Sequence, residues 1–415
     1  MEVKPGFKLT EVGVIPEEWE PKPLHSVLSK GRLGGNYPNQ DTQTELPLMK
    51  MGNIARGYFD ISKVEYITPG VSPESDHRLA YGDVLFNTRN TLELVGKVAI
   101  WRDEIPVAYY NSNLMRLEFD AKEVCSNEYA SYALNTAGSV ARLRALATGT
   151  TSVAAIYTRD LMGLQFVVPP KREQRAIAGA LSDVDALIGA LGQLIAKKRD
   201  LKQAAMRQLL TGETSLPGFR GEWDVKRLAD LAEIVSGGTP RTTEPAYWNG
   251  GIKWCTPTDI TGCAGKHLNE TERTISQLGL QNSGASLLPA GALLLCSRAT
   301  IGEVKIAAGE ICTNQGFKSL VCLPGMSNEF LYYKLLTMKQ QMRRRAFGST
   351  FLEISKANLA ALEINTPPPL EQTAIAAVLS DMDAELAALE ARRHKTRALK
   401  QAMMQELLTG RTRLV

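Results

Sequence analysis

The chain has 415 residues, 44% hydrophobic and 22% charged, with a formal net charge of +4; this excludes wholesale disorder and suggests two or three domains. Its six cysteines form no CxxC pair, and five of them (Cys255, Cys263, Cys296, Cys312, Cys322) lie in the second half, which argues against a disulfide framework and for free thiols in a reducing cytoplasm. Met1–Glu20 lacks the apolar core of a signal peptide and no run reaches ~18 uninterrupted apolar residues, so a soluble, cytoplasmic protein is expected.

Residues 1–168 read as a first α+β globular unit with a net charge of roughly −3. Pro16–Trp19 followed by Leu24 opens it. Apolar runs bounded by glycine and asparagine predict strands in GDVLFNTR (Gly82–Arg89), GKVAI (Gly96–Ile100) and NSNLMRL (Asn111–Leu117). Glu128–Leu146 predicts a helix, and GTTS (Gly149–Ser152) follows it as a loop.

Residues 169–216 predict one long helix, with Pro169-Pro170 before its start, Gly212 at its end, early acids Asp183 and Asp185, and late cations Lys197–Arg199. Apolar residues alternate by four and three at Ile177, Leu181, Val184, Ile188, Leu191 and Ile195, the seam of a coiled coil. At 1.5 Å per residue such a helix is a rod of ~60 Å.

Residues 217–366 restate the first unit with more divergence: Trp223 and Leu228, GALLLCSR (Gly291–Arg298), GEVKI (Gly302–Ile306), NQGFKSL (Asn314–Leu320), a helix over Asn328–Phe347, and GSTF (Gly348–Phe351). Residues 367–415 restate the helix at a constant offset of 198 without a gap, about 27 of 48 positions being identical. Its seam is Ile375, Leu379, Met382, Leu386 and Leu389, with Arg393 where Ile195 stood and Gly410 at the end. The chain is therefore a tandem duplication. The expected fold is α+β: two globular domains separated by two long helices that form an antiparallel coiled coil in a pseudo-two-fold repeat. Extra apolar positions such as Leu187, Leu194 and Leu386 suggest that the helix pair meets partners.

Catalytic constellations are missing from the sequence: there is no GxGxxG, Walker lysine loop, GxSxG or HExxH. His25, His77, His267 and His394 are scattered, and Cys255 and Cys263 are too far apart for a zinc knuckle. Glu303-Val304-Lys305 resembles a nuclease ExK but aligns with Gly96-Lys97-Val98, which lacks the acid. No catalytic residue, metal or cofactor is expected in this chain.

The loops carry side chains suited to reading nucleic acid, since arginine pairs with guanine, asparagine or glutamine with adenine, and hydroxyls and lysine with phosphates. Candidates in the first half are Lys50, Asn53, Arg89, Asn90, Asn111, Asn113, Thr148, Thr150, Thr151 and Ser152. In the second half they are Thr239, Arg241, Thr242, Thr243, Lys253, Thr256, Thr258, Ser297, Arg298, Asn314, Gln315, Ser349 and Thr350. Tyr247 and Trp248 either pack their loop or touch DNA.

Taken together, W-x₄-L opening each unit, SGGTP–YW–GGIKW–D-I at 236–260, GTT or GST before each long helix, and PP-x₂-EQ…LSD-D…LLTG closing each unit resemble the specificity subunit of Type I restriction–modification enzymes. The resemblance covers essentially the whole chain; the first unit departs from it in having GRLGGNYPNQ and LPLMKMGNI in place of the SGGTP block. It implies target recognition domains at 1–168 and 217–366, a central conserved helix at 169–216 and a distal one at 367–415. It also implies recognition of a bipartite asymmetric site in double-stranded DNA and docking of two modification subunits. These would methylate adenine with S-adenosylmethionine, and restriction subunits would add ATP- and Mg-dependent cleavage. Two alternatives stay open: a duplicated coiled-coil scaffold for proteins without DNA specificity, and an enzyme of unfamiliar motif.

Overall fold

The computed structural model describes residues 4–348 and 352–414 and divides into two compact units. Unit 1 comprises residues 1–192 and 391–415, and unit 2 comprises 193–390. Each unit thus takes one end of each long helix. The helices are Lys171–Leu209 and Pro369–Leu407, 39 residues apiece.

Apolar strands build two four-stranded sheets in unit 1, beside smaller two- and three-stranded ones. The first is antiparallel, in the order Val98–Ile100, Val84–Asn87, Leu114–Phe119, Leu28–Leu33. The second is mixed, in the order Tyr109–Tyr110, Pro47–Met49, Glu65–Ile67, Asn39–Gln40. The larger core lies between the first sheet and the helices and takes in Trp19, Leu24, Phe86, Tyr129, Ile177, Leu181, Met404 and Leu407. Unit 2 repeats the plan. A five-stranded sheet (Ala232–Ser236, Lys318–Cys322, Leu293–Leu295, Val304–Ala307, His267–Leu268) shares a core with Leu209, Leu210, Ile375 and Leu379. A three-stranded sheet centred on Trp248–Cys255 stands beside it.

The helix expected over Glu128–Leu146 is instead two, Asn127–Leu134 and Ala137–Ala145. Thr136 takes an extended conformation between them and its side chain accepts a bond from the Ser139 N–H, so a second N-cap interrupts a continuous apolar pattern. Its counterpart also breaks, into Asn328–Thr337 and Lys339–Arg344.

Within each unit the two helix segments run antiparallel. In unit 1 Ile177 and Leu181, near the start of the first helix, share a core with Met404 and Leu407, near the end of the second. In unit 2 Lys198 pairs with Glu385 and Lys202 with Asp383, one number rising as the other falls. Ile177, Leu181, Leu191, Ile195, Ile375 and Leu379 are buried, whereas Val184, Ile188, Met382, Leu386 and Leu389 are half-buried. By length and composition alone the first helix is apolar enough to cross a membrane. Its seam residues Ile177, Leu181, Leu191 and Ile195 are nonetheless buried, and its Asp185 is ion-paired with Lys400 at 2.6 Å.

The duplicated segment owes its polar identity to anchoring. Gln174 donates to the Pro169 and Glu123 carbonyls and accepts from the Cys125 N–H; Gln372 does the same with Pro367, Gly325 and Ser327. Asp185 accepts from the Tyr132 hydroxyl at 2.8 Å and Asp383 from Tyr333 at 2.6 Å, while Lys400 and Lys202 lie over the rings of the same tyrosines. One set breaks the symmetry. In unit 1 the fully buried Glu173 accepts from Trp19 Nε1 at 2.8 Å and from Arg413 Nε at 2.5 Å. In unit 2 Glu371 is equally buried, yet neither its carboxylate nor Trp223 Nε1 has a partner among the described residues. The position equivalent to Arg413 is Ser215.

Gly410, at φ 71°, ends the second helix where a side chain could not fit, since a Cβ would lie 2.3 Å from the Pro16 ring.

Candidate nucleic-acid interface

In unit 1 the Val84–Asn87 strand runs on into the short strand Arg89–Asn90, which pairs with Ala154–Ala155, itself paired with Thr148–Gly149. Buried Asn87 holds the turn-out: its Oδ1 accepts from the Arg89 N–H and its Nδ2 donates to Leu94 O. Between Thr148–Gly149 and Ala154–Ala155 the chain turns at Thr150–Val153, closed by Thr150 N–H to Val153 O at 2.8 Å. Gly149 sits at φ 129°, and a Cβ there would meet Val153 O at 2.3 Å, which explains the glycine of GTTS. The result is a small projecting patch that gathers Arg89, Asn90, Thr148, Thr150, Thr151 and Ser152, all exposed except half-buried Asn90. Asn113 adjoins it, its carbonyl accepting from Thr88, and Asn111 orders Asn113 through Oδ1.

Lys50 and Asn53 lie apart from this patch. Lys50 pairs with Glu65 at 2.8 Å. Asn53 is buried, with Oδ1 accepting from the Lys50 N–H and Nδ2 donating to the Asp60 and Lys63 carbonyls. Its amide is committed to shaping its own loop.

Unit 2 presents Ser297 and Arg298 at the place equivalent to Thr88 and Arg89, because Ile354 N–H bonds Ser297 O as Ile156 N–H bonds Thr88 O. Arg298 is clamped by Glu353 at 2.7 Å, and Lys318 reaches the other oxygen of that carboxylate at 3.3 Å. Burial pushes the Glu353 carboxyl up, but the hydrogen bonds from Arg298 and Lys318 outweigh it and hold the group below its ordinary value. Neither Glu353 nor Lys318 stood out in the sequence, although Ala155 occupies the strand position facing Arg89 where Glu353 faces Arg298. Ser297 itself is fully buried. Ser349 and Thr350 lie outside the described residues.

Next to Arg298 stands Asn314–Gly316, since Ser297 N–H bonds Gly316 O at 2.7 Å. Gln315 accepts from Thr239 Oγ1, which joins the exposed Arg241–Thr243 loop to the same face. Gly237 is required there, as a Cβ would come within 2.0 Å of Asn314 O. Trp248 and Trp254 brace this loop: Trp248 Nε1 donates to Arg241 O, Trp254 Nε1 donates to Gly238 O, and the Arg273 guanidinium stacks 3.7 Å from the Trp248 ring centre. Thr256 and Lys253 serve other ends. Thr256 bonds Asp259 in capping the helix Pro257–Gly262, which carries Thr258, and Lys253 pairs with Glu270 at 3.1 Å. No three His, Cys, Asp or Glu side chains come together as a metal site among the described residues.

The chain matches the Type I restriction modification DNA specificity domain twice, over residues 16–197 and 220–397. A putative type I restriction enzyme MjaX specificity subunit of Methanocaldococcus jannaschii is 26% identical over 99% of this chain and 97% of its own length. The MjaIX specificity subunit of the same organism is 38% identical over 41% of this chain, a match spanning 40% of that relative. Among solved structures, the type I restriction–modification S subunit from M. genitalium superposes with a TM-score of 0.59 at 15% identity, over 98% of both chains. A duplicated segment that repeats at one fixed offset, two units built to one plan, and a family match falling once on each unit lead to the same place: this chain belongs to the specificity subunits of type I restriction–modification systems.

Proposed function

We propose that each unit reads one half of a bipartite, asymmetric site in double-stranded DNA, without itself catalysing a reaction. The observation that carries this reading is the recurrence of an arginine, Arg89 or Arg298, at one structural position on the projecting edge of each unit, in different company. Equivalent placement suits equivalent work, and the different neighbours suit different target bases. The helix pair would carry two modification subunits, with restriction subunits joining them. S-adenosylmethionine, ATP and Mg enter with those partners.

The test replaces Arg89 and Arg298 with alanine separately, in cells that also express the modification subunits, followed by methylome sequencing. Loss of one bidentate base contact costs roughly 1–3 kcal/mol, so each variant should relax one half of the methylated motif and keep the other. If both halves degrade together, or neither changes, the arginines do not read bases. Unchanged methylation in a chain lacking both patches would favour a protein scaffold without DNA specificity.

A further inference from the structure

Unit 1 contains a group of cations that its fold does not neutralise. The turn Thr91–Lys97 leaves the projecting patch and returns the chain to the first sheet. Arg56 donates to Gly96 O at 3.3 Å and Arg144 donates to Glu93 O at 3.3 Å, so two guanidiniums from separate segments converge on this turn. Lys97 is its last residue. Among the described residues none of the three forms an ion pair; the arginines bond main-chain carbonyls of the turn, and the exposed Glu93 side chain pairs with none of them. Burial and mutual repulsion lower the affinity of Arg56 and Lys97 for their protons, as expected of half-buried cations facing one another.

The duplicate supplies the control. Asn87 N–H bonds Lys97 O as Cys296 N–H bonds Glu303 O, so Lys97 and Glu303 occupy one backbone position. Glu303 is ion-paired with Lys339 at 2.7 Å. Where unit 2 balances charge internally, unit 1 accumulates it. The turn also touches the projecting loop directly, through Leu92 N–H to Thr151 O at 3.1 Å.

We propose that Arg56, Lys97 and Arg144 form an anion site for a backbone phosphate of nucleic acid, beside the bases read by unit 1 and without a counterpart at the equivalent place in unit 2. The inference rests on the reading of unit 1 as a DNA-binding domain. Phosphate is the matching chemistry: it accepts several charge-assisted hydrogen bonds, and the contact adds affinity while carrying no base information.

The experiment uses the full chain in complex with its modification subunits and measures duplex affinity across a series of salt concentrations. Each phosphate contact contributes about 0.9 to the slope of log K against log salt. The variant Arg56→Gln/Lys97→Gln/Arg144→Gln should lower that slope by about one, with the methylated motif unchanged. Lys97→Glu, which installs the residue of unit 2, should lower the slope as well while raising the melting temperature, because the new carboxylate meets Arg56. That opposition separates a ligand site from a structural one. A wild-type slope in both variants would overturn the proposal. So would tight binding of inorganic tripolyphosphate with no change in duplex slope, which would assign the site to a free anion. If the wild-type complex shows no salt-dependent duplex binding, the DNA reading itself fails, a result distinct from either of these.

Discussion

The two copies of one buried glutamate should respond differently when their charge is disturbed. Glu173 and Glu371 occupy equivalent positions and neither is exposed, but Glu173 receives Trp19 Nε1 and Arg413, whereas Glu371 has no protein donor among the described residues. Arg413→Ala leaves the Glu173 carboxylate buried with a single neutral donor. Breaking a buried pair costs about 3–5 kcal/mol. Arg413 keeps 27% of its side chain in contact with solvent, so water recovers part of this, and about 2–3 kcal/mol is expected. A loss of 2 kcal/mol multiplies local opening by roughly 30. The assay is hydrogen–deuterium exchange read on peptides covering Trp19–Val27 and Ile177–Leu181, with unit 2 peptides as the reference. Glu371→Gln removes a desolvated charge and no hydrogen bond seen among the described residues, so exchange around Leu228–Ile234 and Ile375–Leu379 should be unchanged or slower. Unaltered protection in Arg413→Ala, or a loosening of unit 2 by Glu371→Gln as large as that of unit 1 by Arg413→Ala, would refute the buried-charge reasoning.

Glu353 titrates below its ordinary value of 4.5 because Arg298 and Lys318 bind its charged form. A depressed folded-state value contributes stability that is complete above the unfolded value and lost as pH falls through the folded one. Unfolding free energies of wild type and Glu353→Gln should therefore differ modestly at pH 6, by no more than about 1 kcal/mol given solvent screening, and converge toward pH 3; a constant offset would contradict this. Burial pushes the Cys296 and Cys312 thiols up to about 11, so iodoacetamide at pH 8 should label them only after unfolding, as mass spectrometry would reveal, and labelling in the native protein at the denatured rate would count against it. Inserting four residues after Leu191 and again after Leu389 keeps the two helices matched to each other and lengthens each by ~6 Å. Methylome sequencing should then recover a motif whose gap is longer by about one to two base pairs with its bases unchanged; an unchanged gap in an active variant would remove the helices as its determinant.

What could be read along the chain was what is local. Helix propensity, the four–three alternation, the flanking prolines and the terminal glycines act over a few residues, so the long helices and the burial of Ile177, Leu181, Ile375 and Leu379 follow from spacing alone. The duplication was legible for the same reason, as a comparison of the sequence with itself. Contacts between distant residues were decided only by the tertiary structure. Nothing near Arg298 announces Glu353, which reaches it through strand pairing, and nothing in Asn53 distinguishes a base-reading amide from one consumed by its own loop. The helix interruption at Thr136 turned on a hydroxyl competing with the backbone ladder, a contest that apolar periodicity does not register. Charge behaves likewise. Residues 1–168 are acidic in sum, yet three cations from three separate segments meet on one turn without an ion pair among the described residues, because folding places charges by position rather than by tally.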